Sequence, residues 1–313
     1  MLKPTYVDGR FFVSPILGCR GACSYCYLHL HDYARPRKNE ISIEEIRNTA
    51  SMCPDFIFGK NGTIISVGAW GDIFPHESPD LIEHSVSMIT DLLQWGNPVQ
   101  IMSKYVLPDQ YINKIVDSVR YHGQLLYSTT ITSIHDWRQI EPLTSDPIGR
   151  LETCLRFHKC GVPTNVLLKP YFPEVTGTEL ESIADLMLKY EIDYCTIGIL
   201  YWDEKIMDRI LQNPFLSKKI CFSKESDDHY LDCDGYQKIH SDTVSSLLDS
   251  VHFLRTKGIC AFLKSSCVNS NILKTVNPSG YFIQDSEFCI DCGNCRVLIP
   301  TVNLQKYNNI RSS

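Results

Sequence analysis

Short apolar runs alternate with amphipathic stretches along most of this chain. Apolar and β-branched residues predict a first strand over 5–17 and further strands over 63–67, 99–102, 124–127, 164–168 and 194–199. Apolar positions at helical spacing predict a helix after each of the first five strands, beginning near residues 42, 78, 108, 146 and 178. A strict alternation of strand and helix is typical of a parallel sheet with right-handed crossovers. The pattern therefore predicts an α/β fold with six strand–helix units.

Polar signals mark several of the helix ends. Ser42 with Glu45, and Thr178 with Glu181, have the spacing of a capping box. Asp146 before Pro147 predicts another helix start, whose apolar face should hold Ile148 and Leu151, together with Leu155 and His158. Residues 203–240 are polar and break the rhythm, which predicts a loop or insertion. A helix over about 241–257 and a strand over 260–264 complete the core.

Composition narrows the class of protein. The chain has 313 residues, of which 43% are hydrophobic, a share that is ordinary for a globular protein. Its formal net charge of −6 gives no support to a large nucleic-acid-binding surface. It contains no apolar run near the roughly 18 residues needed to span a membrane, and its first residues lack the apolar stretch of a signal peptide. We therefore expect a cytoplasmic protein without a membrane partner. Fourteen cysteines in a reducing compartment favour metal ligation over disulfides.

Three of these cysteines form the most informative motif. Cys19, Cys23 and Cys26 have the spacing C-x3-C-x2-C, with Tyr25 directly before the last. A closed zinc site takes four ligands, usually from two cysteine pairs. Three thiolates at this spacing favour a [4Fe–4S] cluster with one iron that lacks a protein ligand. The alternative is a zinc knuckle or three unrelated buried thiols.

The motif resembles the signature of the radical S-adenosylmethionine (radical SAM) enzymes, C-x3-C-x-aromatic-C. The longer run GCRGACSYCYLHLHDYARP is similar to the spore photoproduct lyase branch of that superfamily. This resemblance implies a partial (β/α)6 TIM-like barrel of the radical SAM type, here with a C-terminal cysteine-rich extension. It also implies that a [4Fe–4S] cluster binds S-adenosylmethionine and cleaves it reductively to a 5′-deoxyadenosyl radical, with an electron donor such as flavodoxin or ferredoxin.

The resemblance extends to contacts with S-adenosylmethionine. It implies that Tyr25 approaches the adenine, that Gly68 and Asp72 lie where the methionine amine binds, and that Lys104 pairs with the methionine carboxylate. Ser128 and Thr130 match a strand-four position that faces the ribose. All of these residues follow or end predicted strands, and the carboxyl ends of the strands carry the chemistry in α/β barrels. The alternatives are a solvated surface charge for Lys104 and an ordinary turn for Gly68.

One difference from the lyase branch affects the expected substrate. In that branch a hydrogen-donating cysteine lies in the loop after the second strand. The corresponding segment here, Gly68–Asp72, contains no cysteine. Repair of a thymine lesion by that route is therefore not expected.

A second group of cysteines lies near the C-terminus. Cys289, Cys292 and Cys295 have the spacing C-x2-C-x2-C of a ferredoxin-type run, and Cys267 could supply a fourth thiolate. We expect an auxiliary [4Fe–4S] cluster, with structural zinc as the alternative. These features divide the chain into a barrel core over 1–202, an insertion with the last helix and strand over 203–264, and a cysteine-rich region over 265–313.

The expected function is a radical SAM enzyme that abstracts hydrogen from an organic substrate, a peptide or small biosynthetic intermediate rather than nucleic acid. The first alternative is repair or modification of a nucleobase, as in the lyase branch. The second is an iron–sulfur sensor without turnover.

Overall fold

The computed structural model describes residues 1–31, 33–76, 78–220, 237–238, 241–275 and 277. The strands within these residues are β1 (Thr5–Val7), β2 (Arg10–Val13), β3 (Ile16–Leu17), β4 (Arg37–Lys38), β5 (Ile64–Val67), β6 (Val99–Met102), β7 (Leu125–Thr130), β8 (Thr164–Leu168), β9 (Tyr194–Ile197), β10 (Tyr201–Trp202), β11 (Gln237–Lys238) and β12 (Cys260–Phe262). The α-helices are α1 (Ile43–Met52), α2 (Pro79–Leu93), α3 (Asp109–Val116), α4 (Trp137–Ile140), α5 (Pro147–Lys159), α6 (Leu180–Lys189), α7 (Glu204–Gln212), α8 (Leu216–Lys219), α9 (Ser241–Thr256) and α10 (Ser265–Leu273).

The core is one sheet in the order β1-β2-β5-β6-β7-β8-β9-β12. Each pair of neighbours from β2 onward is parallel, and only β1 runs antiparallel, to β2. The strand order follows the chain order, which is the result of repeated strand–helix–strand crossovers in one direction. The predicted α/β class with a parallel sheet is confirmed.

The two faces of β7 show how the layers are arranged. Tyr127 stacks on Phe157 of α5 with ring centroids 4.3 Å apart, on the face that the outer helices cover. Leu126, which points to the opposite face, packs with Val268 of α10. Since side chains alternate along a strand, Ser128 and Thr130 share the inner face with Leu126. The inner face of the sheet therefore carries the two β7 residues that the sequence proposed for a site.

The first predicted strand, over 5–17, is wrong in its extent. Asp8 and Gly9 have φ values of +50° and +69° and form a two-residue turn between Val7 and Arg10, which pair with each other. Asp-Gly is the sequence most typical of such a hairpin turn, because both of its residues must take positive φ. The chain then forms β2 in the sheet and β3 beside β4.

Several helix predictions also need correction. The capping box at Ser42 and Glu45 is confirmed, with the Glu45 amide donating to Ser42 Oγ at 3.2 Å. Thr178 does not cap α6, because its hydroxyl donates to the Val175 carbonyl in a π-helical turn that precedes the helix. In α5, Ile148 is exposed and the buried face instead includes Arg150, Leu151, Cys154 and Phe157.

The polar stretch 203–240 is not only a loop. It contains α7, which begins at the cap residue Asp203, and the short α8. Ile206 and Ile210 of α7 pack in a cluster with Cys23 and Tyr25. This helix therefore covers the loop over 18–27 that contains the three motif cysteines, which we call the cysteine loop. Polar composition concealed the helix because only one stripe of it is buried.

Candidate functional site

The cysteine loop begins where β3 meets the loop after β5. The Gly18 amide donates to the Trp70 carbonyl at 2.7 Å, and Gly18 pairs with Gly71 in an isolated parallel bridge. A Cβ atom on Gly71 would lie 2.6 Å from the Gly18 carbonyl oxygen, so the two backbones approach too closely for a larger residue. This contact places the start of the loop beside the carboxyl end of β5, as the order of elements predicts.

Two of the three cysteines, Cys19 and Cys23, lie close to Gly21. The Gly21 amide donates to Cys19 Sγ at 3.2 Å. A Cβ on Gly21 would stand 3.3 Å from Cys19 Sγ and 3.5 Å from Cys23 Sγ, so the absent side chain leaves room between two sulfurs. Cys23 is buried, and Cys19 and Cys26 are partly exposed. Burial raises the pKa of the Cys19 thiol to about 11 and that of Cys23 to about 12, so in the metal-free protein both are protonated at neutral pH.

The donor set suits an iron–sulfur cluster, because all three side chains are thiols. Within the described residues, no group of three or more His, Cys, Asp or Glu side chains is arranged to hold one metal ion. In a [4Fe–4S] cluster each thiolate ligates a different iron, so the sulfurs surround the cluster and need not converge on one point. Metal ligation also favours the thiolate form that burial alone disfavours. Cys19, Cys23 and Cys26 would be the residues that hold the cluster.

Lys104 and Tyr25 form the polar wall beside Cys23. Lys104 Nζ donates to the Tyr25 hydroxyl at 2.5 Å and lies 3.7 Å from Cys23 Sγ. It also stands 4.7 Å from the centre of the Tyr25 ring. Lys104 is therefore not a solvated surface charge, since only 19% of its side chain is exposed. The structure thus brings together two of the six residues that the resemblance assigns to S-adenosylmethionine.

A carboxylate that the sequence analysis missed balances this lysine. Glu141, at the end of α4, is fully buried with its Oε1 atom 3.3 Å from Lys104 Nζ. The Tyr25 hydroxyl donates to the same oxygen, as does Thr132 Oγ1 at 2.8 Å. Burial alone would raise the pKa of Glu141, but the charges of Lys104 and Arg150 outweigh it and lower the pKa to about 2. Glu141 is thus an anion that fixes both Tyr25 and Lys104.

Arg150 binds the second carboxylate oxygen of Glu141. Its Nη1 lies 2.6 Å from Glu141 Oε2 and donates to the Thr130 carbonyl at 2.8 Å, and its Nε donates to the Ser145 carbonyl at 2.7 Å. The side chain is fully buried, and all of its partners come from the β7–α5 connection. The sequence held one signal for this buried ion pair. Arg150 lies three residues after Pro147 and four before Cys154, so helical spacing places its charge on the buried face of α5.

Asp72 accepts hydrogen bonds from two backbone amides and one hydroxyl group. Its carboxylate accepts hydrogen bonds from Ser103 Oγ at 2.6 Å, from the Lys104 amide at 2.8 Å and from the Phe74 amide at 3.0 Å. Burial raises its pKa against the lowering effect of these bonds. The arrangement ties the loop after β5 to the loop after β6 and orients Lys104.

The remaining predicted residues lie along the same edge of the sheet. Gly68 has a φ of +102° and directly follows β5, where a Cβ would lie 2.7 Å from the Ile73 side chain. Ser128 Oγ accepts from Asn165 Nδ2 at 3.2 Å, and Thr130 binds Arg150 through its carbonyl. Tyr105 was not predicted; its hydroxyl lies 3.8 Å from Cys19 Sγ. Arg209 of α7 was also missed, and its Nη2 donates to the Cys23 carbonyl at 3.0 Å.

The predicted second cluster falls mostly outside the described residues. Cys289, Cys292 and Cys295 lie outside them. Cys267 lies on α10, where Asn277 Nδ2 donates to its sulfur at 3.1 Å. Among the described residues, no helix has the length and apolar character needed to cross a membrane.

Comparisons with solved structures show a shared fold. A variant of spore photoproduct lyase, solved with bound AdoMet and dinucleoside spore photoproduct, superposes with a TM-score of 0.61 over 81% of this chain and 75% of that one, at 16% identity. SuiB of Streptococcus suis, bound to S-adenosylmethionine, gives a TM-score of 0.52 over 83% of this chain and 51% of that one, at 8% identity. No protein-family model matches the chain.

One curated relative is similar in sequence to half of this chain. The spore photoproduct lyase of Bacillus subtilis (strain 168) is 24% identical over 162 residues, which are 50% of this chain and 44% of the relative. The chain therefore matches less than half the length of that protein. The fold shared with spore photoproduct lyase over most of this chain confirms the predicted partial TIM-like barrel.

Proposed function

We propose that this chain is a radical SAM enzyme whose cluster and S-adenosylmethionine lie at the carboxyl edge of the sheet. The observation that carries the proposal is the position of Lys104 Nζ, 3.7 Å from Cys23 Sγ and bonded to Tyr25 inside the C-x3-C-x-Tyr-C loop. A cation beside the sulfurs of the cluster loop suits a ligand that brings a carboxylate to the open iron.

The chemistry comes from the cluster and the cofactor, and the protein supplies their positions. Together, the bound cluster and S-adenosylmethionine would supply a 5′-deoxyadenosyl radical for abstraction of a hydrogen atom from the substrate, with methionine as the other product of reductive C5′–S cleavage. Cys19, Cys23 and Cys26 would hold the cluster, and Lys104 would bind the carboxylate. Glu141 and Arg150 keep the lysine and Tyr25 in place, and α7 covers the loop and excludes water.

The substrate that we propose is a peptide or a small biosynthetic intermediate. The loop after β5 carries Trp70 and no thiol, so it cannot return hydrogen as a cysteine does. The rings of Tyr27, His31 and Tyr33 pack edge-on around Trp70 with centroids 5.4 to 5.9 Å away, which makes this loop an aromatic wall. A net charge of −6 also disfavours a polyanionic substrate.

Nucleobase repair is the second candidate. It is favoured by the fold shared with spore photoproduct lyase, which has been solved with a dinucleoside lesion. Tight binding of lesion-containing DNA, with a steep dependence on salt, would favour this candidate over a peptide substrate.

The test of the proposal is anaerobic reconstitution followed by assay of 5′-deoxyadenosine with dithionite and S-adenosylmethionine. We expect iron to bind and 5′-deoxyadenosine to form, and replacement of Cys26 by Ser to abolish both. The matched control is Cys160→Ser, because Cys160 is an exposed thiol at the end of α5. A fully loaded cluster that yields no 5′-deoxyadenosine would contradict the proposal and favour a sensor.

Iron content also tests the auxiliary site, since about eight irons per chain indicate two clusters, whereas about four with bound zinc indicate one.

A further inference from the structure

Exposed positively charged side chains are concentrated at the start of the cysteine loop and on the segment that packs against it. Arg20 directly follows Cys19, and Arg35, Arg37 and Lys38 belong to or precede β4; all four are exposed. Within the described part of the chain, none of these four pairs with a carboxylate. Their concentration is notable because the chain as a whole has a net charge of −6. We call these four residues the basic patch.

The backbone holds the basic patch against the cysteine loop. β4 pairs antiparallel with β3, so that Arg37 faces Leu17 and Lys38 faces Ile16. The Cys19 amide donates to the Tyr33 carbonyl at 2.9 Å. A Cβ on Gly18 would lie 2.3 Å from the Arg35 carbonyl oxygen, which shows how closely this segment is applied to the loop. The patch is therefore fixed next to the first predicted cluster ligand.

An open cavity with a volume of about 640 Å³ adjoins the basic patch. Arg37 and Lys38 line it together with the apolar side chains of Leu2, Leu17 and Leu81, and the guanidinium of Arg37 stacks over Tyr33, 5.2 Å from the ring centre. Leu17 stands two residues before Cys19. Glu40 and Asp80 also line the cavity, so its rim holds two acids beside the cations. An apolar floor with a charged rim is typical of a protein-docking surface.

Three of the four patch residues and the polar wall of the site belong to different connections of the fold. β4 contacts α2 of the outer helix layer, whereas Lys104, Tyr25 and Glu141 lie between the loop after β6 and the loop after β7. A partner on the patch would therefore approach the cysteine loop from the β3–β4 side, where Cys19 is bonded to the Tyr33 carbonyl. The closeness of this segment to Cys19 suits a partner that exchanges electrons with the cluster.

We propose that the basic patch and its cavity dock a small acidic one-electron carrier, such as a flavodoxin, which reduces the cluster. The inference rests on the proposed function, because only a cluster at Cys19, Cys23 and Cys26 needs such a partner. The carrier loses one electron and the cluster gains it, so the exchange balances without a further reactant. Electron-transfer encounters use small, weakly held interfaces, and opposite charge steers them.

The test compares two triple variants of the reconstituted protein. Arg35→Gln/Arg37→Gln/Lys38→Gln neutralises the patch but leaves Arg20 unchanged, because Arg20 lies between cluster ligands. The control Lys159→Gln/Lys189→Gln/Lys274→Gln removes the same charge at exposed positions at the ends of α5, α6 and α10. Each protein is assayed for 5′-deoxyadenosine with dithionite and with reduced flavodoxin, and for direct binding of oxidised flavodoxin.

We expect the patch variant to lose about tenfold in flavodoxin-driven rate and in flavodoxin affinity at low salt. Its dithionite-driven rate should stay within about twofold of the wild type, and the control should match the wild type in every assay. Raising the salt concentration should weaken flavodoxin binding to the wild type and narrow its difference from the patch variant.

Three results would overturn the inference. The patch variant could bind flavodoxin as the wild type does, or the control could lose as much affinity. The patch variant could instead lose affinity for a DNA oligonucleotide while keeping flavodoxin-driven turnover, which would assign the patch to nucleic acid. Failure of the proposed function is a separate outcome, read from the absence of 5′-deoxyadenosine with dithionite in the wild type, and binding of flavodoxin is measured independently of it.

Discussion

Lys104 Nζ lies 3.3 Å from Glu141 Oε1, and this contact joins the loop after β6 to the loop after β7. The other oxygen of Glu141 lies 2.6 Å from Arg150 Nη1. A fully buried carboxylate between two cations is costly to disturb, because removing it leaves a buried positive charge without a partner. The cysteine loop is thus supported by a charge network from two neighbouring connections of the barrel.

Glu141→Gln should destabilise the protein strongly. The substitution keeps the size of the side chain but leaves Arg150 buried without a counter-charge, which costs about 3–5 kcal/mol in the free energy of unfolding. Urea unfolding of the metal-free protein measures it. The matched control is Glu83→Gln, which breaks an ion pair with Lys114 in which both side chains are about half exposed and should cost less than about 1 kcal/mol. Equal effects of the two substitutions would contradict the buried network.

Stability should fall in acid because of the same carboxylate. The pKa of Glu141 is lowered in the folded state from 4.5 to about 2, so the folded protein holds the ionised form more strongly than the unfolded chain does. The resulting stability is fully present above pH 4.5 and is lost as the pH falls towards 2. Unfolding measured at several pH values across this window should show the loss, and Glu141→Gln should flatten the slope. An unchanged slope in that variant would assign the acid sensitivity to other groups.

Gly21→Ala should impair cluster assembly more than folding. The added methyl group would lie 3.3 Å from Cys19 Sγ, 3.5 Å from Cys23 Sγ and 3.0 Å from Thr144 Cγ2, in the space between the sulfurs. We expect iron content after reconstitution to fall while the metal-free protein unfolds within about 1–2 kcal/mol of the wild type. Combining it with Thr144→Ser removes the methyl contact but not the sulfur contacts, so iron binding should stay low. Recovery of iron in the double variant would place the conflict at Thr144.

Tyr105→Phe should make the reduction potential of the cluster more negative. The Tyr105 side chain is buried and its hydroxyl lies 3.8 Å from Cys19 Sγ. Hydrogen bonds to cluster sulfurs stabilise the reduced form, so their loss favours the oxidised form. A redox titration followed by electron paramagnetic resonance gives the midpoint potential. Tyr111→Phe, at a partly exposed position of α3, should leave the potential unchanged. A wild-type potential in Tyr105→Phe would mean that this hydroxyl does not reach the cluster.

Much of the fold could be predicted from the sequence because it depends on local signals. The apolar runs gave the parallel strands, and Ser42 with Glu45 gave a true capping box. The predictions failed where local and tertiary preferences disagree. Thr178 has the spacing of a cap, yet its hydroxyl serves a π-helical turn. Helix α7 is polar in composition, yet its two buried isoleucines cover the cysteine loop.

For the site itself, the sequence alone determined the three cysteines, the tyrosine before the last of them and the edge of the sheet on which they lie. Those features follow from spacing within one loop and from the direction of parallel strands. Only the tertiary structure decided what surrounds them: Glu141 and Arg150 meet Lys104 from a different connection of the barrel, and the basic patch reaches Cys19 through the pairing of β3 with β4. Charges that are distant along the chain acquire partners only when folding excludes water between them, and no local pattern in the sequence records that choice.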